Sequence, residues 1–331
     1  MEKTVTTYLD SLDFGLVQSH KNLSMFPLLS SQAIDLEYLL LDEALTENCI
    51  EITEIDKGGS VPELKLVNKS EKKVLLLDGE ELVGAKQNRI INTTILIAAQ
   101  TTTIIPVSCC EQGRWSYDST SFSSHKRVMS PNMRAMKSEQ VRCNLAAEES
   151  YCADQGAIWD EIEEKATRRN ARSGSMAMSE IYEKEKGSIE EYRQHFEIVE
   201  NQVGALFAIN GKVVGFDSFG NQDTFSKVFE KLVDSYALDA IDWFDPEKKT
   251  RKVKTAQNKF FDSVRTASDS SHRSVALGKD IRLESSAVTG FALIHDKNIL
   301  HLSAFARQNG NKENNRSSRL QRFSQRRGRV Y

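Results

Sequence analysis

Five short segments rich in Val, Ile, Leu and Thr lie between residues 35 and 107, and no helical periodicity separates them. They predict strands at residues 51–55, 63–67, 73–77, 90–98 and 101–107. A polar turn, Asn-Lys-Ser-Glu, occupies residues 68–71 between two of these strands. Short links suit antiparallel neighbours, because parallel strands need a long crossover. The pattern therefore predicts antiparallel pairing in a sandwich or a jelly-roll-like sheet.

The periodicity changes further along the chain. Residues 115–133 are mostly polar and predict a long surface loop, and helices are expected from there to about residue 201. Ser188 and Glu191 have the spacing of a capping box, which predicts the start of a helix. Asn210-Gly211 between two apolar runs predicts a hairpin with a type I′ turn. Three more strands are expected at residues 280–286, 288–295 and 299–305.

Together these patterns predict an α+β fold. It consists of an antiparallel, β-rich, sandwich-like N-terminal part, a helical middle and a smaller α/β C-terminal part. Residues 1–130 form the β-rich part, and residues 131–311 form the helical and α/β part, which is expected to make one compact unit with the first. Residues 312–331 hold seven basic residues against one acidic residue, a net charge of +6, and leave −9 on the rest of the chain. This basic tail lacks apolar periodicity and is expected to be disordered.

The sequence composition predicts a protein without a membrane-spanning helix that resides in a reducing compartment. No apolar run approaches the roughly 18–20 residues that a membrane helix needs, and the N-terminus has no apolar core of a signal peptide. The five cysteines are an odd number and form no CxxC pair, which disfavours a disulfide framework or a zinc ribbon. A cytoplasmic location is expected.

Polar residues concentrate in two short segments, which we call the first motif segment (residues 78–89) and the second motif segment (residues 109–115). The first reads Asp-Gly-Glu-Glu-Leu-Val-Gly-Ala-Lys-Gln-Asn-Arg, and the second reads Cys-Cys-Glu-Gln-Gly-Arg-Trp. The predicted strands at residues 90–98 and 101–107 lie between them. Two strands would therefore hold both segments at one place, and we expect the working surface there.

Three residues of these segments are candidates for catalysis. Glu80 or Glu81 could act as a general base or a metal ligand, and adjacent strand residues face opposite ways, so at most one would point at a given pocket. The alternative is a solvated turn after a buried strand. Cys109 could be a nucleophile whose pKa is lowered by the nearby Arg114, or it could be a small buried apolar residue.

The other candidates would bind a ligand. Arg89 and Arg114 could clamp an anion, because a guanidinium fork suits phosphate or carboxylate oxygens. The alternative is that Glu80, Glu81 or Glu111 pairs with these arginines and holds the loops shut. The remaining candidates have amide, carboxylate or aromatic side chains: Gln87, Asn88, Glu111, Gln112 and Trp115.

No metal site is predicted. His295 and His301 flank a short turn, and even the favourable hairpin register leaves them roughly 7–8 Å apart. Phosphate-cradling, dinucleotide-binding, zinc-protease and nucleophile-elbow signatures do not occur in the sequence, which argues against those familiar enzyme classes.

Residues 75–115, LLLDGEELVGAKQNRIINTTILIAAQTTTIIPVSCCEQGRW, resemble the characteristic segment of the ARG and rhodanese-phosphatase-superfamily-associated protein domain family. The resemblance covers most of residues 10–305. The family takes its name from gene association with ADP-ribosylglycohydrolases and rhodanese-phosphatase proteins, which implies a role in NAD or ADP-ribose metabolism. The positions that match the family are Gly79, Glu80, Glu81, Gln87, Asn88, Arg89, Cys109, Glu111, Gln112, Arg114 and Trp115.

Three functions follow as hypotheses. The leading one is a domain that binds an ADP-ribose- or NAD-related anionic nucleotide, with arginines on phosphate, amides on hydroxyls or base, and Trp115 stacking. The second is a hydrolase of such a ligand that uses a glutamate base or the Cys109 nucleophile. The third is an interaction protein whose basic arm, residues 312–331, binds nucleic acid or an acidic partner. The sequence does not specify a cofactor.

Overall fold

The computed structural model describes residues 1–32, 34–56, 58–171, 173–247 and 256–307. The expected disorder of residues 312–331 lies outside these ranges. The helices are α1 (Lys3–Asp10), α2 (Leu41–Thr46), α3 (Pro131–Glu148), α4 (Gln155–Arg168), α5 (Met178–Arg193), α6 (Gln222–Asp242) and α7 (Ala256–Arg265). The strands are β1 (Asp13–Phe14), β2 (Gln18–His20), β3 (Leu23–Leu29), β4 (Tyr38–Leu40), β5 (Ile50–Thr53), β6 (Glu63–Asn68), β7 (Lys73–Leu76), β8 (Glu80–Gly84), β9 (Arg89–Ile91), β10 (Ile95–Ile97), β11 (Thr102–Cys109), β12 (Phe122–Val128), β13 (Gln202–Ile209), β14 (Lys212–Phe219), β15 (Ser268–Arg273), β16 (Lys279–Glu284), β17 (Val288–His295) and β18 (Asn298–Ala306).

This mixed architecture confirms the α+β prediction, and its largest element is a nine-stranded antiparallel sheet. Its order is β1-β3-β13-β14-β18-β17-β16-β15, with β2 paired to β3. Strands from the start of the chain therefore complete a sheet built mainly from residues 202–306. The Asn210-Gly211 hairpin prediction is confirmed, because both residues have the positive φ that a type I′ turn requires, 53° and 77°.

Both faces of this sheet are covered. In β13, neighbouring side chains alternate between two cores: Phe207 packs with α5 and α6, whereas Leu206 packs with α1 and α7. The alternation follows from the two-residue period of a strand. The sheet is thus the central layer between two groups of helices.

The motif segments belong to a second β unit with its own apolar core. Here β12-β8-β9-β11-β6-β5 form a six-stranded sheet and β10-β7-β4 form a three-stranded sheet. Among the described strands, β4 and β7 make the one parallel pair, which corrects the expectation of antiparallel pairing throughout. Parallel pairing is feasible because α2 and the β5–β6 hairpin provide the crossover between them.

Three local predictions are wrong. The expected loop at residues 115–133 contains β12, whose end residues Phe122 and Val128 are buried while its polar middle occupies a sheet edge. The expected strand at residues 90–98 is two strands, β9 and β10. Helix α5 runs through Ser188, so the proposed capping box lies inside a helix.

A cluster of charged residues lies fully buried where the two β units meet. We call Asp78, Arg134, Lys137, Asp217, Tyr236 and His301 the buried ionic centre. Arg134 donates to Asp78 and Asp217, and Lys137 donates to Asp78. His301 and Tyr236 also contact the carboxylate of Asp217. The centre therefore links the first motif segment, through Asp78, to the nine-stranded sheet.

Candidate functional site

Strand pairing brings the two motif segments together. Cys109 of β11 is the register partner of Arg89 in β9. One residue further on, the amide of Cys110 donates to the carbonyl oxygen of Asn88 at 3.0 Å. The expectation that these segments meet in space is therefore met at the level of the backbone.

Arg114 fastens the two segments to each other. Its Nε and Nη2 donate to Glu111 Oε2 at 3.0 and 2.6 Å, and its Nη1 donates to the carbonyl oxygen of Ala85 at 2.7 Å. Nη2 also contacts Asn88 Oδ1 at 3.0 Å. Burial favours the neutral form of Glu111, but hydrogen bonds from Arg114 and from the amide of Asn88 outweigh burial and lower the pKa of Glu111. The guanidinium of Arg114 is thus engaged in holding the loops closed.

The guanidinium of Arg89 is buried, but most of its hydrogen-bond donors lack acceptors among the described residues. Its side chain has no exposed surface, and its Nη1 donates to Gln87 Oε1 at 2.8 Å. Its Nη2 lies 3.7 Å from Glu54 Oε1, beyond hydrogen-bond distance. Within the described residues, Arg89 Nε and Nη2 have no hydrogen-bond partner. An orphaned buried donor of this kind costs about 1–3 kcal/mol, more for a charged group, so it requires an explanation.

The ring of Trp115 packs on Arg89, and a second cation, Lys86, links that ring to Tyr117. The guanidinium carbon of Arg89 is 5.7 Å from the centre of the Trp115 ring. Lys86 Nζ lies 5.1 Å from the same ring and 5.2 Å from the ring of Tyr117. Trp115 and Tyr117 are 49% and 53% exposed, so about half of each side chain remains in contact with solvent. We call Lys86, Arg89, Trp115 and Tyr117 the aromatic–basic cluster.

Glu80 forms a buried ion pair with Lys231. Its Oε1 accepts from Lys231 at 2.5 Å, and its Oε2 accepts from the amide of Leu77 at 2.7 Å. Lys231 also donates to Asp42 at 2.7 Å. Burial raises the pKa of Glu80 against the opposing pull of Lys231. The carboxylate is thus held by a structural partner.

Glu81, the next residue, has different surroundings from Glu80. It is fully buried, and Glu81 Oε1 lies 3.6 Å from Cys110 Sγ. Its Oε2 has no hydrogen-bond partner in the described part of the chain. Burial raises the pKa of Glu81 to about 7, so this carboxyl exchanges its proton near neutrality.

Cys109 is a buried thiol. Its sulfur lies 3.1 Å from both Gln87 Oε1 and the carbonyl oxygen of Glu111, and either oxygen can accept a hydrogen bond from the thiol. Gln155 clasps its backbone, accepting from the amide at 2.7 Å and donating to the carbonyl at 2.6 Å. Burial raises the pKa of the Cys109 thiol. The thiolate that a nucleophile needs is therefore disfavoured in this conformation.

The structure sorts the predicted residues into groups. Gln87, Asn88, Arg89, Cys109, Glu111, Arg114 and Trp115 form one connected neighbourhood, and Gln112 lies exposed beside it. Sequence reasoning missed Glu54, Lys86, Tyr117 and Gln155. Lys86 and Tyr117 could have been found as the polar and aromatic neighbours of the motif residues, whereas Glu54 and Gln155 reach the site only through tertiary contacts.

The described ranges show neither a metal-binding cluster nor a membrane-spanning helix. No group of three or more His, Cys, Asp or Glu residues there could hold a metal ion. His295 lies beside Asp296, whereas His301 is buried against Asp217 and Thr94. No helix in the same ranges has the length and apolar character needed to cross a bilayer.

Comparison with known proteins gives a family and nothing more specific. No curated protein and no solved structure matches the chain. The family match covers residues 11–305, which include both β units, the helices between them and both motif segments. The chain belongs to the family of the ARG and Rhodanese-Phosphatase-superfamily-associated Protein domain.

Proposed function

We propose that this protein binds a small anionic nucleotide of the ADP-ribose or NAD type at the aromatic–basic cluster. The observation that carries the proposal is the buried Arg89 guanidinium, two of whose nitrogens have no hydrogen-bond partner among the described residues. A phosphate oxygen would satisfy those donors and would gain a charge-assisted hydrogen bond. The cost of leaving Arg89 unsatisfied would then be recovered on binding.

The surrounding side chains suit the other parts of a nucleotide. The exposed part of the Trp115 side chain would offer a stacking surface for a base, and stacking on an aromatic residue contributes about 1–3 kcal/mol per base. Lys86 lies between the Trp115 and Tyr117 rings and adds positive charge. In this arrangement Arg114 positions the loops, and Arg89 rather than Arg114 meets the phosphate.

Calorimetric titration with ADP-ribose and with NAD tests the proposal. We expect saturable binding by the wild type and a loss of about tenfold or more in affinity for Trp115→Ala, in line with the contribution of one stacked base. Phe244→Ala is a matched control, because Phe244 is also an exposed aromatic residue (43%) and lies outside the cluster. No heat from the wild type at millimolar ligand would rule the proposal out.

A second candidate function is hydrolysis of the same class of ligand, and the pKa of about 7 at Glu81 favours it. General acid–base catalysis works best when the pKa of the group lies near the working pH. Glu80 is neutralised by Lys231, and the thiol of Cys109 is kept protonated by burial, so neither has comparable chemistry.

Product analysis with ADP-ribosyl compounds separates the two candidates. If the protein is a hydrolase, Glu81→Gln should abolish turnover while Cys109→Ala retains it. Turnover that survives both substitutions would reject this catalytic assignment. If the wild type binds the ligand without turning it over, hydrolysis is rejected and the binding proposal is retained.

A further inference from the structure

A charged groove lies apart from the aromatic–basic cluster. It encloses about 530 Å³ between β12, α5, α6 and the start of α2. That volume is within the range of small-molecule sites, about 300–1,000 Å³, but its walls are far more polar than is usual for an apolar ligand. Six basic residues line it: Lys126, Arg127, Lys186, Arg193, Lys227 and Lys231.

Most of these basic residues already have carboxylate partners. Arg127 pairs with Glu183, and Arg193 pairs with Glu190 and Asp234. Lys231 pairs with Asp42 at 2.7 Å. Lys227 pairs with Glu43 and Asp223 at 2.8 and 2.7 Å. These four side chains contribute structure to the walls and have little capacity for a ligand.

Lys126 and Lys186 are different. Their amines make no hydrogen bond and no ion pair with any residue that the structure describes. Lys126 belongs to β12 and Lys186 to α5, so the two residues line different walls of the groove. An anion with several oxygens, such as a phosphate group, could contact both.

Asp234 supplies an acceptor in the same groove. Its Oδ2 accepts from Arg193 at 2.9 Å, whereas its Oδ1 is buried and has no hydrogen-bond partner in the described ranges. A ligand hydroxyl would donate to that oxygen. The groove thus combines a place for an anion with a place for a hydrogen-bond donor.

We propose that this groove is a second binding site, which takes a small phosphorylated polyol such as a sugar phosphate. The phosphate lies between Lys126 and Lys186, and a hydroxyl of the ligand donates to Asp234. This inference does not depend on the function proposed for the aromatic–basic cluster.

Calorimetry with glucose 6-phosphate, inorganic phosphate and glucose tests it. We expect Lys126→Met and Lys186→Met each to weaken glucose 6-phosphate binding by about five- to tenfold, and the double variant to lose more. Lys184→Met is the matched control, because Lys184 is exposed on the same helix and does not line the groove. Neither amine makes a hydrogen bond or an ion pair with a described residue, so both variants should remain folded.

A separate variant tests the hydroxyl contact. The wild type should prefer glucose 6-phosphate to inorganic phosphate, and Asp234→Ala should remove that preference while phosphate binding persists. Equal affinities across the lysine variants, or no saturable heat from the wild type at millimolar glucose 6-phosphate, would overturn the proposed site. A wild type that binds both phosphates equally would overturn the role of Asp234.

Discussion

Arg134 and Arg89 are both completely buried, but their surroundings differ in one respect. Arg134 donates from Nε to Asp78 at 3.1 Å and from its two terminal nitrogens to Asp217 at 3.0 and 2.7 Å. Among the described residues, the side chain of Arg89 makes one hydrogen bond, to Gln87, and the carboxylate that approaches it, Glu54, is 3.7 Å away. The described residues supply an acceptor to each guanidinium nitrogen of Arg134, but they leave two guanidinium nitrogens of Arg89 without one.

The contrast between Arg134 and Arg89 distinguishes a buried charge that stabilises the fold from one that the fold leaves unsatisfied. In the buried ionic centre, burial alone would raise the pKa of Asp217, yet Arg134 and His301 hold it far below its usual range. A carboxylate stabilised so strongly is a structural element. Arg89 lacks such stabilisation and lies beneath the half-exposed Trp115, where a ligand would complete its contacts.

Arg282 shows that unpartnered nitrogens alone do not mark a site. Two of its nitrogens also lack partners within the described chain. However, Arg282 pairs closely with Asp280 at 2.7 Å, and the rings of Phe291 and Tyr151 lie 5.3 and 5.7 Å from its guanidinium carbon. Arg89 combines the missing partners with a distant carboxylate and an exposed stacking surface.

The largest expected effect comes from breaking the buried ionic centre. Arg134→Met should lower the free energy of unfolding by about 3–5 kcal/mol, because it leaves Asp217 buried without its guanidinium partner and leaves Asp78 with Lys137 alone. Urea unfolding of the purified variant measures this loss. A loss below about 1 kcal/mol would mean that the centre is not structural.

The second effect is a gain in stability from Glu81→Gln at alkaline pH. The folded-state pKa of Glu81 is raised to about 7, so the folded protein holds a proton that the unfolded chain releases. The free energy of unfolding therefore falls as pH rises from about 4 to 7. Removing the carboxyl should raise the free energy of unfolding by up to about 3 kcal/mol at pH 8 and by almost nothing at pH 4.

Unfolding curves for wild type and Glu81→Gln across this pH range measure the effect. Glu80→Gln is the control, because it should destabilise the protein by leaving the buried Lys231 with Asp42 as its one described carboxylate partner. A pH-independent difference between Glu81→Gln and wild type would show that Glu81 does not titrate in this window.

The third effect sharpens the comparison of the two arginines. Arg89→Met should cost less than about 2 kcal/mol of folding stability, because only one good hydrogen bond is lost. The same substitution should weaken ADP-ribose binding strongly. If Arg89→Met destabilises the protein as much as Arg134→Met, the two sites are alike and the comparison fails.

The smallest effect on stability is expected at Trp115. Trp115→Ala removes an exposed ring and should change the free energy of unfolding by less than about 0.5 kcal/mol. Thermal unfolding of this variant beside Phe244→Ala provides the measurement. A markedly lower melting temperature for Trp115→Ala alone would assign the ring to the fold and not to a ligand.

Local sequence patterns predicted the elements that depend on interactions between residues close in sequence. Asn210-Gly211 specified its hairpin, and the motif segments met because the strands that carry them pair as neighbours. Capping at Ser188 failed because the helix that contains it continues through that turn, with Ile181 and Ile189 both packed into the same core.

Contacts between distant parts of the chain decided the rest. The predicted strand at residues 90–98 is interrupted where Thr93 bonds to Asp280 and Thr94 bonds to His301. Glu54, in the connection between β5 and β6, approaches Arg89 through a tertiary contact, and no pattern in the motif segments indicates that partner. The exposure of Trp115 and the burial of Arg89 could likewise be learned only from packing.

The most direct test observes the two arginines in one experiment. In a ¹⁵N-labelled protein, the Nε–Hε resonances of Arg89 and Arg134 can be assigned by their absence in Arg89→Lys and Arg134→Lys. On addition of ADP-ribose, the account predicts that the Arg89 resonance moves in a saturable way while the Arg134 resonance stays in place. An Arg89 resonance that remains unchanged up to millimolar ADP-ribose would contradict the claim that this guanidinium awaits a phosphate.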